Sequence, residues 1–278
     1  MSNSIEGSSS TSTDYPVVTD RKSDYVCKSY AKIWRTRKGF LPLRKINAEM
    51  KDTYTYEYPR PSVTTDCVIF GFDAQGLSIL LIERGIEPFK GCWAFPGGFM
   101  QMDEDAETCA RRELEEETGL KDVHVEQFGT FSEVNRDPRG RTVTIAHFAL
   151  VKKSEVKGAD DAAQAKWFPI DSIPPLAFDH DRILRVALHA LREKIHFQPI
   201  GFELLPPVFT MPQLQDLYES ILEVQFDRRN FANKMLKLGI LTEVNDGTVR
   251  KGTRNPIKYS FNSEKYSQMK AKGFRLEF

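Results

Sequence analysis

The chain has 278 residues, 40% of them hydrophobic and 28% charged, which is the balance of a water-soluble globular protein long enough for two domains. That balance excludes a fibrous, low-complexity or membrane-embedded chain. Net charge is zero, but residues 1–60 carry 11 basic and 7 acidic groups, residues 61–205 carry 16 and 24, and residues 206–278 carry 12 and 8, so an acidic middle lies between two basic ends. Such a division suggests parts with different partners, or ordinary surface variation.

Residues 1 to about 15 are rich in Ser and Thr and have almost no bulky apolar groups. They cannot bury enough surface to offset the entropy of ordering and are expected to be disordered. Residues 20–60 mix Tyr25, Tyr30, Trp34, Phe40 and Leu41 with many basic residues. They read equally as an arm that packs on the body or as a basic tail. No apolar run nears the roughly 20 residues that cross a bilayer, and the first residues lack the pattern of a signal peptide. Cys27, Cys67, Cys92 and Cys109 show neither CxxC nor zinc-ligand spacing, so they read as reduced thiols of a cytoplasmic protein.

From Thr64 the pattern becomes periodic. Cys67–Phe70 and Leu77–Ile82 read as a hairpin turning at Asp73-Ala74-Gln75-Gly76. Trp93-Ala94-Phe95 is a short strand stopped by Pro96-Gly97-Gly98. Asp103 is a suitable N-cap for a helix to about Thr118, with Gly119 as its stop. Strands follow near 122–131, 142–151 and 166–169. A helix near 179–195 carries Ile183, Val186, Ala187 and Leu191 at helical spacing. This order predicts an α/β sandwich with a mixed sheet. After the linker at Leu205-Pro206-Pro207, Thr210 can cap a helix holding Leu214, Leu217, Ile221 and Leu222. A second helix runs from Asp227 to Leu238, stopped by Gly239, and 240–244 and 257–261 form a ribbon around Asn245-Asp246-Gly247. Helix, turn, helix, ribbon is the plan of a winged helix-turn-helix. The expected organisation is an N-terminal arm over 1–60, an α/β domain over 61–200 and a winged helix over 207–278.

On a helical wheel of residues 103–118, Ala106, Cys109 and Ala110 mark an apolar face that Glu113, Glu116 and Glu117 continue. Burial, mutual repulsion and the helix C-terminal dipole all oppose carboxylates there. A divalent cation removes the conflict, and hard oxygen donors suit Mg²⁺ or Mn²⁺. An acidic solvated face is the plainer alternative. The Gly97-Gly98 turn before the helix favours the metal, because it lets backbone, including a carbonyl, approach a ligand closely.

Gly98, Glu104, Arg112-Glu113-Leu114, Glu116-Glu117 and Gly119-Leu120 match the Nudix box at every defined position. The resemblance implies a Nudix α/β/α sandwich. It assigns the metal to Glu113, Glu116 and Glu117, with the Gly98 carbonyl as a further ligand. Arg112 would orient the cluster through ion pairs, and Glu104 would support the loop–helix geometry. The implied reaction is attack of water on a diphosphate, with the base drawn from a box glutamate or a loop acid such as Glu133. Arg84–Gly91 leading into Trp93–Gly98, and Arg136–Arg141, are similar to ADP-ribose pyrophosphatase-like members, which points to Arg84, Arg136 and Arg139 as ligand contacts. A solvated Asp–Arg turn is the plainer reading of 136–141.

Leu214–Glu219 and Phe226–Phe231 after such a domain resemble Nudix-related transcriptional regulators, which sense a metabolite and bind operator DNA as dimers. Arg228, Arg229, Asn230, Asn233, Lys234 and Lys237 suit a DNA-reading helix, and Arg250, Lys251 and Arg254 would charge the wing. Dimerisation or protein contact is the plainer use of the module. Many such regulators have a degraded box, whereas this one is intact, which implies retained hydrolysis alongside regulation.

Overall fold

The computed structural model describes residues 56–153, 156, 162–244 and 256–273. The expectations for residues 1–55, for the turn at Asn245–Gly247 and for wing residues Arg250, Lys251 and Arg254 lie outside them.

Two long strands, β1 (Ser62–Asp73) and β2 (Gly76–Arg84), form the hairpin. The turn closes through an Asx contact, with the Gln75 N–H donating to Asp73 Oδ1 at 2.9 Å. Strands β3 (Trp93–Ala94) and β4 (Gly97–Phe99) follow. Helix α1 (Ala106–Thr118) then leads to β5 (Val125–Phe131), β6 (Thr142–Lys152), β7 (Ala162–Pro169) and helix α2 (His180–Phe197). The main order is β3-β2-β1-β6-β5, with β7 on β2 and β4 on β1. The β1–β6 pair is parallel and the others are antiparallel, so the sheet is mixed as expected.

The strand period of two sorts the core onto both faces. Cys67 and Ile69 of β1 and Leu80 of β2 meet Ala110 and Leu114 of α1. Val68, Phe70, Ile79 and Leu81 meet Ile183, Ala187 and Leu191 of α2 on the other face. Val186 of α2, expected inside, is exposed, and Leu184 and Ile195 are buried instead.

Three differences from the sequence expectation bear on the site. Gly97-Gly98 is not a turn but part of β4, pairing Thr65↔Gly98 and Asp66↔Gly97. The cap of α1 is Asp105 rather than Asp103, its side chain accepting from the Thr108 N–H at 2.8 Å. The buried stripe of α1 runs through Cys109, Ala110, Leu114, Glu117 and Thr118. Leu114, four residues beyond Ala110, continues the packed face and leaves Glu113 at its edge and Glu116 outside.

The C-terminal module begins with β8 (Phe209–Thr210) and α3 (Met211–Leu222). A capping box joins Thr210 and Gln213, as the sequence Thr-Met-Pro-Gln allows. Helix α4 (Arg228–Leu238) is capped by Asp227 and ended by Gly239 at φ 66°. Strands β9 (Leu241–Val244) and β10 (Lys258–Phe261) complete a small sheet in the order β8-β10-β9, and α5 (Ser263–Ala271) follows. The sequence reading had neither β8 nor α5. Leu214, Leu217, Tyr218 and Ile221 of α3 share one core with Phe70 and Ile79 of the large sheet. Arg192 of α2 fastens this joint, donating to the Ile221 carbonyl at 2.9 Å and pairing with Glu223.

Candidate functional site

The N-terminal half of β1 carries β4 on the side that β2 occupies further along, so Gly97 and Gly98 are fixed against backbone. A Cβ on Gly97 would stand 2.1 Å from the Thr65 carbonyl oxygen. A Cβ on Gly98 would stand 2.3 Å from Glu113 Oε1. The two glycines therefore bring the β4 backbone against the carboxylates of α1.

Arg112 organises that face of α1. Its guanidinium donates twice to Glu104, at 2.6 and 3.0 Å. It also donates to Glu113 at 2.7 Å, to Glu116 at 3.0 Å and to the Phe99 carbonyl at 3.3 Å. Glu104 in turn accepts from the Gln101 N–H at 2.8 Å, tying the loop to the helix. Arg112 and that N–H hold the Glu104 carboxyl at about 2. Burial pushes the Glu113 carboxyl up, against the pull of Arg112, and the nearby carboxylates of Glu116 and Glu104 add to the rise. Glu117 is only 7% exposed, and its Oε2 accepts from the Gly97 N–H at 2.8 Å.

The donor chemistry of this face fits a hard divalent cation: Glu113 and Glu116 both stand at the Arg112 guanidinium, and the lack of a side chain at Gly98 lets the Glu113 carboxylate come up against the β4 backbone. As they stand, Glu113 and Glu116 turn to Arg112 and Glu117 to Gly97. Among the described residues no group of three donors is already gathered at metal-ligand spacing.

The three expected ligand arginines take different places. Arg136 is interior, its side chain 4% exposed. It donates to Asp179 at 2.7 and 3.1 Å and to Asp66 at 3.3 Å. His180 completes the knot, its Nε2 3.5 Å from Asp66 and its Nδ1 accepting from the Phe95 N–H at 3.0 Å. Arg136 thus fixes the 132–141 loop to β1 and to the start of α2, rather than facing solvent. Arg139 is held by Asp137 at 2.7 Å and lies over the Phe99 ring at 4.7 Å. Arg84 donates to the Pro88 carbonyl at 2.8 Å and lies over the Phe178 ring at 4.9 Å. Glu133, the loop acid, pairs with Arg182 of α2.

Asp66, Asp179, His180, Phe99 and Phe178 were not singled out from sequence. One signal was present: Asp66 directly precedes the apolar run Cys67–Phe70 of the same strand, and a buried charge demands partners. Burial would raise the Asp66 carboxyl, but His180 and Arg136 bring it down to about 2. A depressed carboxylate stabilises the fold fully above its unfolded value, and that contribution is lost as pH falls through the folded one. Stability therefore drops between pH 3.8 and about 2 in the native protein. In an Asp66→Asn variant this step is reduced, as acid titration followed by circular dichroism would measure.

On the C-terminal module, Arg228, Arg229 and Asn230 are exposed in the first turn of α4, with Asn233 and Lys237 exposed further along and Lys234 half-buried. Phe231 and Met235 on the opposite side are buried against the module core.

Comparison with known proteins gives this arrangement its context. The NUDIX domain model matches residues 60–187, and the NrtR DNA-binding winged helix domain model matches residues 201–261. The ADPR responsive transcriptional repressor NtrR of Acinetobacter baylyi is 34% identical over 215 residues, 76% of this chain and 86% of that protein. The chain belongs to the Nudix family, in the group that carries an NrtR-type winged helix. An ADP-ribose pyrophosphatase of Methanocaldococcus jannaschii is 41% identical over 128 residues, 46% of this chain and 73% of that protein. Among solved structures, Shewanella oneidensis NrtR complexed with a 27mer DNA aligns with TM-score 0.64 and 29% identity, over 77% of this chain and 97% of that one. No helix among the described residues of this Nudix protein is long and apolar enough to cross a membrane.

Proposed function

We propose that this Nudix protein is a Mg²⁺-dependent pyrophosphohydrolase of ADP-ribose or a similar nucleoside diphosphate derivative, and that the same ligand governs DNA binding by its winged helix. The observation that carries the hydrolase reading is the complete carboxylate–arginine cluster beside Gly97-Gly98. Glu113, Glu116 and Glu117, with the Gly98 carbonyl, would hold Mg²⁺ or Mn²⁺. A cation bound there supplies a Lewis acid for the diphosphate and a more acidic water. Arg112 shares its charge among Glu104, Glu113 and Glu116, so it holds two of the donors, Glu113 and Glu116, side by side. Arg84 and Arg139 stand for the anionic ligand, and Arg136 positions the loop that carries Arg139. In the reaction, water oxygen bonds to one phosphorus while the bridging oxygen leaves with the other. Glu116, the most exposed of the three box carboxylates, and Glu133 are the candidates to take the water proton. The products from ADP-ribose are AMP and ribose 5-phosphate. A substrate panel tests the reading: kcat/KM for ADP-ribose exceeds that for nucleoside triphosphates by at least about tenfold, a difference of roughly 1.4 kcal/mol in transition-state stabilisation. Equal or better use of triphosphates would instead mark a nucleotide house-cleaning enzyme.

The regulatory reading is favoured by the exposed basic turn of α4 and by likeness to a repressor and to a DNA-bound relative. We treat residues 61–200 as the ligand domain and 207–278 as the DNA domain. A homodimer would present two α4 helices to an operator. Arg228, Arg229, Asn230 and Lys234 would meet DNA there, Arg and Asn at base edges and Lys at phosphate. Arg229→Ala weakens binding. If Arg229 meets phosphate, the slope of log K against log salt falls by about 1. If it reads a base, the slope changes little and discrimination among sites relaxes instead.

A further inference from the structure

Helix α3 ends on an unusual residue. Glu223 has φ 55° and ψ 38°, the left-handed region that a residue with a side chain seldom occupies unless its surroundings hold it there. Glycine is the usual choice at such a place, and Gly119 and Gly239 take it after α1 and α4. The turn from Glu223 to Asp227 then aims α4, whose first turn carries Arg228, Arg229 and Asn230. Part of the hold on this turn comes from within the winged helix. Glu219 accepts from the Phe226 N–H at 2.7 Å and from Gln215 at 2.8 Å, and Gln215 also donates to the Phe226 carbonyl at 2.9 Å. Those bonds fix the far end of the turn. Its near end, at Glu223, is held from the other domain.

Arg192 of α2 donates through Nε to the Ile221 carbonyl at 2.9 Å and pairs with the Glu223 carboxylate. That carbonyl lies in the last turn of α3, where no helical N–H follows to meet it. The Glu223 side chain is 61% exposed, so the ion pair by itself contributes little. What matters is that one guanidinium grips both sides of the left-handed cap. The core that α3 shares with Phe70 and Ile79 already joins the two domains, and it requires no arginine here. The other end of α2 lies at the ligand site. Asp179 and His180 at its start meet Arg136 and Asp66, and Arg182 pairs with Glu133 of the 132–141 loop. His180 and Arg192 stand about 18 Å apart along one continuous helix. A single stiff element therefore runs from the loop that carries Arg139 to the cap that aims α4.

We propose that Arg192 is a positioning residue for DNA binding, and that α2 carries the state of the ligand site through it to the pose of α4. This inference rests on the regulatory reading and deepens it by naming the contact through which regulation passes. Coupling of two sites needs an element that both of them bias, and α2 is anchored at both.

The test uses the full chain and the DNA duplex that the wild type enriches from a random pool. Without ADP-ribose, Arg192→Ala binds that duplex about tenfold more weakly, because Glu223 no longer keeps the left-handed cap. Adding Glu223→Gly to this variant brings affinity back to within about threefold of wild type, since glycine takes the conformation without help. The link to α2 stays broken, so ADP-ribose, which changes wild-type affinity about tenfold, changes that of the double variant less than about twofold. Calorimetric titration gives the same ADP-ribose affinity in all three proteins. Hydrogen exchange of residues 222–230 reads the positioning without DNA: it quickens about tenfold in Arg192→Ala and returns to the wild-type rate in the double variant. A wild-type chain that binds no DNA, or binds it regardless of ADP-ribose, sinks the regulatory reading, and exchange then decides the role of Arg192 alone. Unchanged exchange in Arg192→Ala, failure of the glycine to restore it, or full ADP-ribose sensitivity in the double variant would overturn the proposal.

Discussion

A Glu117→Gln variant loses ADP-ribose turnover by on the order of a thousandfold while remaining folded. The carboxylate sits in the last turn of α1, 7% exposed, where the helix dipole and burial both disfavour negative charge. It accepts from the Gly97 N–H at 2.8 Å. A glutamine can keep that hydrogen bond through its amide oxygen, so the geometry survives and only the charge is lost. The melting temperature is therefore unchanged or slightly raised, as expected where a functional charge is held at a cost in stability. A residue serving only the fold would show the reverse: turnover near normal and lower stability. Steady-state kinetics beside differential scanning calorimetry separates the two.

The second large effect is at Gly97. The added methyl of Gly97→Ala would stand 2.1 Å from the Thr65 carbonyl oxygen and 3.0 Å from the Asp66 Cα, both backbone atoms of β1. No side-chain rotation relieves this clash. Strand β4 must move away from β1, taking with it the N–H that anchors Glu117 and the glycine that lines the acidic cluster. Overpacking of this kind costs about 3 kcal/mol, or roughly 10 °C in a domain of this size. Turnover is lost along with stability. Gly119→Ala is the comparison. Gly119 also has a positive φ of 76°, but nothing lies within 4 Å of its would-be Cβ. That variant costs only about 1 kcal/mol and keeps its activity.

The contrast between these glycines shows what the sequence can and cannot reveal. Gly119 was legible as a helix stop, because local chemistry alone demands it. Gly97 and Gly98 were legible as a place of close approach but were read as a turn. Their pairing with β1 depends on residues more than 30 positions away in sequence, which no local pattern records. The box carboxylates were recognisable by spacing, yet the wheel placed all three on the packed face. Leu114 takes that face, and Glu116 lies outside it.

Arg136 shows the same limit in another form. From sequence Arg136 reads as a ligand contact or, more plainly, as part of a solvated loop, but Asp66 from β1 and Asp179 before α2 converge on its guanidinium from 70 and 43 residues away. Arg84 and Arg139 were legible as cations, whereas the Phe99 and Phe178 rings they face come from separate segments that no local pattern joins. In the C-terminal module, Thr210, Asp227 and Gly239 marked the helix ends correctly, since each acts within its own turn. Strand β8, only two residues long, exists because β10 offers it a partner.

The most direct test of the account is to incubate the purified chain with ADP-ribose, with Mg²⁺ or with excess chelator, and to follow AMP by chromatography. AMP and ribose 5-phosphate are expected in equal amounts with Mg²⁺, and neither with chelator. Absence of AMP with Mg²⁺, while ADP-ribose still raises the melting temperature, would contradict it and leave a ligand sensor without catalysis.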